Sequence, residues 1–451
     1  YAGWPLPEML KTRQAFADFL QEQWEAYIRT EIREPVGEYH VQILIPFAHD
    51  TALQDSLSGL VRGGSLAPLL VAEPERLPAW AAPAVRAIHE DPRPRQVDEL
   101  QAALFAALAE LPADARWEAW QGIARAWAEL NTIWHAPGFQ PAPAQQEHRL
   151  RLLLQIDALF LAWLRLRYAP LGAQRLPVPH HVHHVPDYLA YLRQQGAVEK
   201  VALLILDGLS LADWRLIAPA WQARHPTWHF DERLLLAQIP TITEISRLAL
   251  ASGLRPSVLS APGALGDEAQ GWRAFWGRQD LPENTIVSAS LALDRSDPPA
   301  GISSHRLQAL CLIDDTIDDL VHNAVLGDAD LQSSLRLWLE PAPEKHPTST
   351  HLEVLLDELI GRGFTVFITS DHGHCEARGM GQPSEGLTAQ TRGKRARLYN
   401  DRRAAQRVQT AFPDTILWED DGLLRSDLTV LMPDGRLAFT VYNEIVVTHG
   451  G

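Results

Sequence analysis

The sequence predicts an α/β protein: a mostly parallel sheet sandwiched by helices over residues 198–451, preceded by a mainly helical domain over residues 1–197. Two observations carry this. From Lys200 onward, continuous apolar runs of strand length alternate with amphipathic stretches of helix length, as expected where strands are covered on both faces. Before that point, Ala/Leu/Trp-rich stretches are separated by proline-rich breaks and show almost no strand pattern. A chain of 451 residues is too long for one small core, so two or three domains are expected.

In the first half, Val97–Leu111 and Trp117–Trp134 read as helices, with breaks at Pro78–Pro83 and Pro137–Pro143 and one possible strand at Val41–Ile45. Leu150–Tyr168 is the greasiest segment, but Arg151, Asp157, Arg165 and Arg167 interrupt it. That suits a buried amphipathic helix, since a membrane span needs roughly 18 unbroken apolar residues. No fixed-period repeat is present, and a scaffold or partner-binding role is expected for this half. His180, His181, His183 and His184 crowd Val178–Val185 with no cysteine or acid beside them to complete a metal clip. They read as a linker whose histidines serve packing or solvation. Pro186 and a short helix, Asp187–Gln195, follow.

In the second half, Val201–Leu206 reads as a strand and Leu211–Gln222 as a helix, and Leu307–Ile313, Phe364–Thr369, Leu428–Met432 and Leu437–Val447 are further strands. Thr350-His-Leu-Glu353 is a capping box opening a helix from about His351 to Ile360, which ends at Gly361 and Gly363.

Open α/β sheets place their sites beyond the carboxyl ends of the strands, and that is where the acids fall. Val201–Leu206 runs into Asp207-Gly208, and Leu307–Ile313 into Asp314-Asp315, with Asp318 and His322 beyond. Phe364–Thr369 runs into Ser370-Asp371-His372-Gly373-His374, and a fourth strand ends at His449-Gly450. One acid at a strand end is unremarkable, because Asp favours turns. Three such ends, two with histidine as well, form a constellation that suits zinc or manganese. Asp318 and His322 are four apart, on one face of a helix, as a shared metal requires. Asp315 is on that face too, as a supporting or alternative ligand.

A candidate nucleophile lies in Ile239-Pro-Thr-Ile-Thr-Glu-Ile-Ser-Arg247, which follows Leu234–Leu236 and reads as a strand entering a helix through a tight turn. Thr243 there either caps the helix or sits beneath a phosphate held by free N–H groups. With the acids nearby, catalysis is favoured. Arg247 faces the same way, and its guanidinium suits phosphate oxygens.

Together, Asp207-Gly208, Pro240-Thr-x-Thr243-x-x-Ser-Arg247, Asp318-x-x-x-His322, Thr369-Ser-Asp371-His372-Gly373 and Thr448-His449-Gly450 resemble the PglZ domain, a branch of the alkaline-phosphatase superfamily. The resemblance covers residues 200–451 and says little about residues 1–197. It implies an alkaline-phosphatase-like sandwich holding two divalent metal ions, zinc with manganese as the alternative. The first would be bound by Asp318, His322 and His449, the second by Asp207, Asp371, His372 and the Thr243 oxygen. Thr243 would be the nucleophile of a phosphodiesterase or nuclease, or of a phosphatase, acting in anti-phage defence of the BREX or phage-growth-limitation kind. Other defence proteins would be its partners. Relatives continue past the His-Gly-Gly at which this sequence stops, so the chain is expected to end early.

The segment Arg378–Tyr399 bears on the substrate. Gly379, Gly381, Pro383 and Gly386 are followed by Arg392, Lys394, Arg395 and Arg397. A solvated surface loop is the plainer reading. A flap whose Arg395 and Arg397 grip phosphates flanking the scissile one is the functional reading, and it fits an oligonucleotide. The net charge of −16 excludes coating nucleic acid by bulk attraction but not one local basic site. Cys311 and Cys375 are the only cysteines, too few for a disulfide framework, so a reducing, cytoplasmic location is expected. Tyr1 stands first in place of methionine, which leaves room for a removed targeting segment.

A sulfatase is rejected, because threonine cannot supply its aldehyde. Asp314-Asp315-Thr-Ile-Asp318-Asp319 imitates the metal box of all-helical prenyl-diphosphate enzymes, a fold the strand-rich second half contradicts. A phosphomutase remains open within the superfamily. The rival from another class is a non-catalytic scaffold subunit that keeps a structural metal site.

Overall fold

The computed structural model describes residues 4–32, 42–62, 65–87, 91–174, 178–258, 267–291, 301–340, 348–384, 387–388, 393–418 and 428–450. Backbone contacts divide the chain into two compact units, Tyr1–Pro92 and Arg93–Gly451. The first holds helices α1 (Leu6–Met9), α2 (Arg13–Glu31) and α3 (Thr51–Arg62) and a parallel pair, β1 (Leu69–Val71) and β2 (Val85–Ala87). Its core gathers Trp24, Ile28, Phe47 and Leu57, and the Trp24 indole donates to Ala84 O at 2.9 Å. The possible strand at 41–45 is coil over its described residues. The reason is local: Gln23 Oε1 takes the N–H groups of both Leu44 and Ile45, which a ladder would have used.

The second unit begins with three long helices, α4 (Arg93–Ala109), α5 (Trp117–Trp134) and α6 (Pro143–Gly172), then α7 (Val185–Gln194). The expected boundary at 197 and the division at 92 are different cuts, because the long helices share a core with later elements. Leu104, Trp120, Leu152, Trp163 and Leu171 pack in one cluster with Ile242, Ile245, Leu398, Trp418 and Val430. The helix at 150–168 is longer than expected and only partly covered, with Leu152, Trp163 and Tyr168 buried but Leu150, Leu154 and Leu166 exposed.

The alternating half follows, as β3 (Lys200–Leu206), α8 (Leu211–Arg224), α9 (Thr243–Ser252), α10 (Glu268–Gly277), β4 (Ile286–Leu291), β5 (Ala309–Asp314), α11 (Thr316–Asn323), α12 (Asp328–Leu339), α13 (Thr348–Gly361) and β6 (Phe364–Thr369). Strands β4-β5-β3-β6 form one sheet in that order, and all three pairings are parallel. The unbroken apolar run of β3 is explained by its two faces. Ala202, Leu204 and Leu206 pack with Ile217, Trp221 and Leu335, while Val201, Leu203 and Ile205 pack with Leu189, Leu250 and Trp272. A side chain that alternates faces still meets helices on either side.

The chain closes with β7 (Cys375–Gly379), β8 (Leu387–Thr388), β9 (Arg397–Tyr399), α14 (Arg402–Ala411), β10 (Thr415–Trp418), β11 (Thr429–Pro433), β12 (Leu437–Ala438) and β13 (Ile445–Thr448). These make an antiparallel sheet, β10-β11-β9-β8, and a mixed one, β12-β7-β13. The run expected as one strand at 437–447 is two short ones, because the chain turns between them with Asn443 at φ 64°. Among the described residues no helix is long and apolar enough to cross a membrane.

The histidine segment lies between α6 and α7, and His181, His183 and His184 are buried, so the packing reading is the one observed. The histidines satisfy the carbonyls at the end of α6. His181 Nε2 donates to Tyr168 O at 2.9 Å, and His184 Nε2 to Gly172 O at 3.1 Å. Each second nitrogen that is engaged accepts: His183 Nδ1 from Gln238 Nε2 at 2.8 Å, and His184 Nδ1 from His180 N at 3.1 Å. The Tyr168 hydroxyl accepts from Ile239 N at 2.8 Å and donates to Ala237 O at 3.0 Å. The run 237–239, which leads to Thr243, is thereby tied to the end of α6. The expected strand at 234–236 contributes only one bridge, His181 to Leu236.

The His183 and His184 rings are built to be neutral, since a proton on Nδ1 would face another donor. Burial, and then His184, push His183 down to about 3, against about 6.5 in an unfolded chain. The folded state thus binds fewer protons than the unfolded one. Stability is full above about pH 6.5 and falls as pH drops toward 3, by about 1.4 kcal/mol per pH unit for each histidine held neutral. Thermal midpoints between pH 7 and pH 5 are expected to fall in the wild type and to fall less steeply in His183→Gln. Equal slopes would place the proton uptake elsewhere.

Candidate active site

The sheet order brings β5, β3 and β6 side by side, so the acids after them meet at one edge. Asp207 follows β3 directly, and the chain leaves through Gly208 at φ 71°, a left-handed conformation that glycine tolerates. Asp314 ends β5, and its Oδ1 accepts from Thr316 N at 2.9 Å, which satisfies the first turn of α11. Asp318 and His322 then stand one turn apart on α11, with Oδ1 and Nε2 3.0 Å from each other. Asp371 and His372 follow β6, and His449 follows β13.

Two clusters of metal-ligating atoms result: Asp318, His322 and His449, and Asp207, Asp371 and His372. They adjoin, because the His372 and His449 rings stack at 4.2 Å and 14°. His449 Nδ1–H donates to Thr241 O at 3.0 Å, and His372 Nδ1–H to Gly373 O at 3.2 Å. Each bond leaves the lone pair on Nε2, the nitrogen turned to the acids. Thr243 is the first residue of α9, and Ile242 stands at the cap position with no side-chain bond, so the helix-cap reading of Thr243 does not apply. Its Oγ1 lies 2.9 Å from His372 Nε2. The Thr241 hydroxyl is engaged, accepting from Gly450 N at 2.7 Å.

The electrostatics ask for cations. Asp207 is pushed up to about 9, by burial first and then by the Asp371 charge beside it. Burial raises Asp371 as well. It lowers His372, and with His372 as neighbour it takes His449 down to about 3. Acids that resist ionising next to histidines that resist protonating leave unused acceptors. Asp207 Oδ1, Asp371 Oδ2, His322 Nε2 and His449 Nε2 are buried and make no hydrogen bond among the described residues, an arrangement that costs free energy unless something binds there. Divalent ions fit this donor set, since Asp and His together suit zinc or manganese and bring the missing positive charge.

Arg247 lies on the same helix as Thr243, one turn on. Its Nη2 touches both Asp207 Oδ2 and Asp315 Oδ1, and its Nε is 3.7 Å from Asp371 Oδ2. Burial works against its charge, but the three acids outweigh that and hold it cationic. Asp315 belongs to neither cluster.

Arg395 and Arg397, expected to grip phosphates, are engaged within the chain. The backbone at 395–396 does run beside the site, so close to Gly450 that a Cβ there would stand 3.2 Å from Ala396 N. The side chains go elsewhere. Arg395 donates to Leu437 O at 3.0 Å and Gly435 O at 2.9 Å, while Arg397 is buried with its guanidinium over the Phe439 ring. Gly386 and Arg392 of the expected flap lie outside the described residues.

Sequence reasoning passed over Asp213 and His374. His374 Nε2 and Asp213 Oδ2 are 2.7 Å apart, and Asp213 Oδ2 also accepts from the Ser210 hydroxyl at 2.7 Å. Burial disfavours the His374 charge, but Asp213 raises it. The pair ties the loop carrying Asp371 and His372 to the start of α8. Its signal was present: Ser210 and Asp213 form a capping box directly after Asp207-Gly208.

Comparison with curated proteins finds no match to the chain. A family model does match, over residues 187–451, and it describes the BREX system PglZ alkaline phosphatase-like domain. The match spans more than half of the chain and takes in every strand of the parallel sheet and both ligand clusters, so this chain belongs to the PglZ family.

Proposed function

We propose that the chain is a metal-dependent phosphoryl-transfer hydrolase, a phosphodiesterase or nuclease, working with other proteins of a BREX-type defence system. The observation that carries this is the place of Thr243: its hydroxyl stands 2.9 Å from His372 Nε2, where the two clusters adjoin. Zinc or manganese ions held by Asp318, His322 and His449 and by Asp207, Asp371 and His372 would supply Lewis acidity and neutralise phosphate charge.

The residues' own work follows. Thr243 Oγ1 attacks phosphorus, the bond from phosphorus to the leaving oxygen breaks, and the hydroxyl proton departs with the leaving alcohol. Water then cleaves the phosphothreonine and restores the hydroxyl. His372 Nδ1, tied to Gly373 O, holds the ring in place, and Thr241 does the same for His449. Arg247, one turn from Thr243 on the same helix, would fork onto the phosphate oxygens.

The purified protein is expected to hydrolyse a chromogenic phosphodiester, to lose that activity on chelation and to regain it with zinc or manganese. A chromogenic monoester run alongside separates diesterase from phosphatase. Metal binding without turnover of either would leave a scaffold subunit with a structural metal site. Thr243→Ala is expected to stay folded, keep its metal and lose roughly 10³-fold or more of the rate. Near wild-type turnover in that variant would remove Thr243 as nucleophile.

Asp318→Ala and Asp371→Ala are each expected to lose about one metal equivalent by elemental analysis, since they serve different clusters. Full occupancy in both variants is the result that contradicts two sites.

A further inference from the structure

We propose that Arg247 is the site's internal cation: it neutralises Asp207 and Asp371 until a divalent ion takes them, then keeps only Asp315, which frees its fork for phosphate. This rests on the metal-dependent reading above and assigns Asp315 a task in it, as the residue that holds Arg247 once the ligands are claimed.

The contact pattern argues for a movable counter-ion rather than a fixed brace. An arginine that merely props a ligand commonly makes two parallel bonds to one carboxylate. Here one nitrogen, Nη2, is shared by Asp207 and Asp315. Nε, although buried, makes no hydrogen bond among the described residues. That Nε lies 3.7 Å from Asp371 Oδ2, the oxygen that stands 3.4 Å from His372 Nε2. A divalent ion held by Asp371 and His372 would meet the guanidinium charge at the same oxygen.

Charge makes the exchange favourable. Asp207 and Asp371 are 2% and 0% exposed, and two adjacent buried carboxylates need a positive partner. Arg247 supplies one charge and a divalent ion supplies two. With both present, Asp207 and Asp371 are met by three positive charges, and Asp315 supplies the negative charge that balances the third. The divalent ion repels the guanidinium from the pair, toward Asp315. The Asp315 side chain is 46% exposed, against 2% for Asp207. Retiring toward Asp315 therefore gives Arg247 back part of its hydration. Asp315 directly precedes α11, the helix that carries Asp318 and His322, so its carboxylate stays next to the loaded site.

The test measures metal affinity rather than turnover. Wild type, Arg247→Gln and Asp315→Asn are stripped with chelator, and zinc is titrated against a competing chromophoric chelator. Removing a competitor should tighten the weaker zinc site at least tenfold in Arg247→Gln. Removing its resting place should weaken that site at least threefold in Asp315→Asn. Should stripped Arg247→Gln fail to stay folded, zinc-loaded protein is challenged with excess chelator, and slower release than wild type is expected. Weaker binding or faster release in Arg247→Gln would make the arginine a brace for Asp207 and overturn the proposal. A wild type that binds no zinc would instead overturn the metal-dependent reading itself.

Discussion

Two carboxylates, Asp207 and Asp371, are buried against each other at the carboxyl edge of the parallel sheet, and much of the second unit serves that pairing. It arises from strand order. Because β3 lies between β5 and β6 with parallel register, residues following each strand emerge at the same edge. Desolvation then does the rest. It drives the acids toward protonation and the histidines toward neutrality, so the edge is a set of lone pairs awaiting positive charge. Arg247 answers part of that demand, and Asp207 Oδ1 and Asp371 Oδ2, which make no hydrogen bond among the described residues, mark the rest.

Such a site functions only if its geometry is held from outside, and the surrounding polar contacts do this. Thr241 uses its carbonyl on His449 and its hydroxyl on Gly450, so a single residue couples the approach to Thr243 with the end of β13. The histidines between α6 and α7 anchor that approach from the other side, through Gln238, while Tyr168 anchors Ile239. The helices at 93–172 therefore bear on the turn that leads to Thr243, although nothing in their composition signals chemistry. Asp213 with His374 does the matching work for the loop after β6.

How much of this was legible follows from the range of the forces involved. The strands at 201–206 and 364–369 were legible because burial on both faces writes itself as an unbroken apolar run. The acids were legible because a strand end is a fixed place in a parallel sheet. Thr243 was only half legible. Whether its hydroxyl caps a helix or faces a ligand depends on His372, which is remote in sequence. Short strands such as β7, β9 and β10 carry too few residues to show a period. The possible strand at 41–45 was undone by one side chain, Gln23, bonding its N–H groups. The boundary at 197 was drawn from a change in composition, whereas compactness follows contacts, and Trp163 shares a core with Trp418 across the change.

Arg395 and Arg397 show the limit most clearly. A cluster of cations after a metal-binding loop carries the same sequence signal whether it serves a ligand or the fold. What decides is the number of backbone carbonyls nearby that lack a partner. The turn between β11 and β12 presents Gly435 O and Leu437 O, and a guanidinium can satisfy both at once. Arg436, between them, turns the other way onto Asp157 of α6. Arg247 differs in its surroundings: its buried Nε makes no hydrogen bond among the described residues and lies 3.7 Å from Asp371 Oδ2, among acids that invite cations.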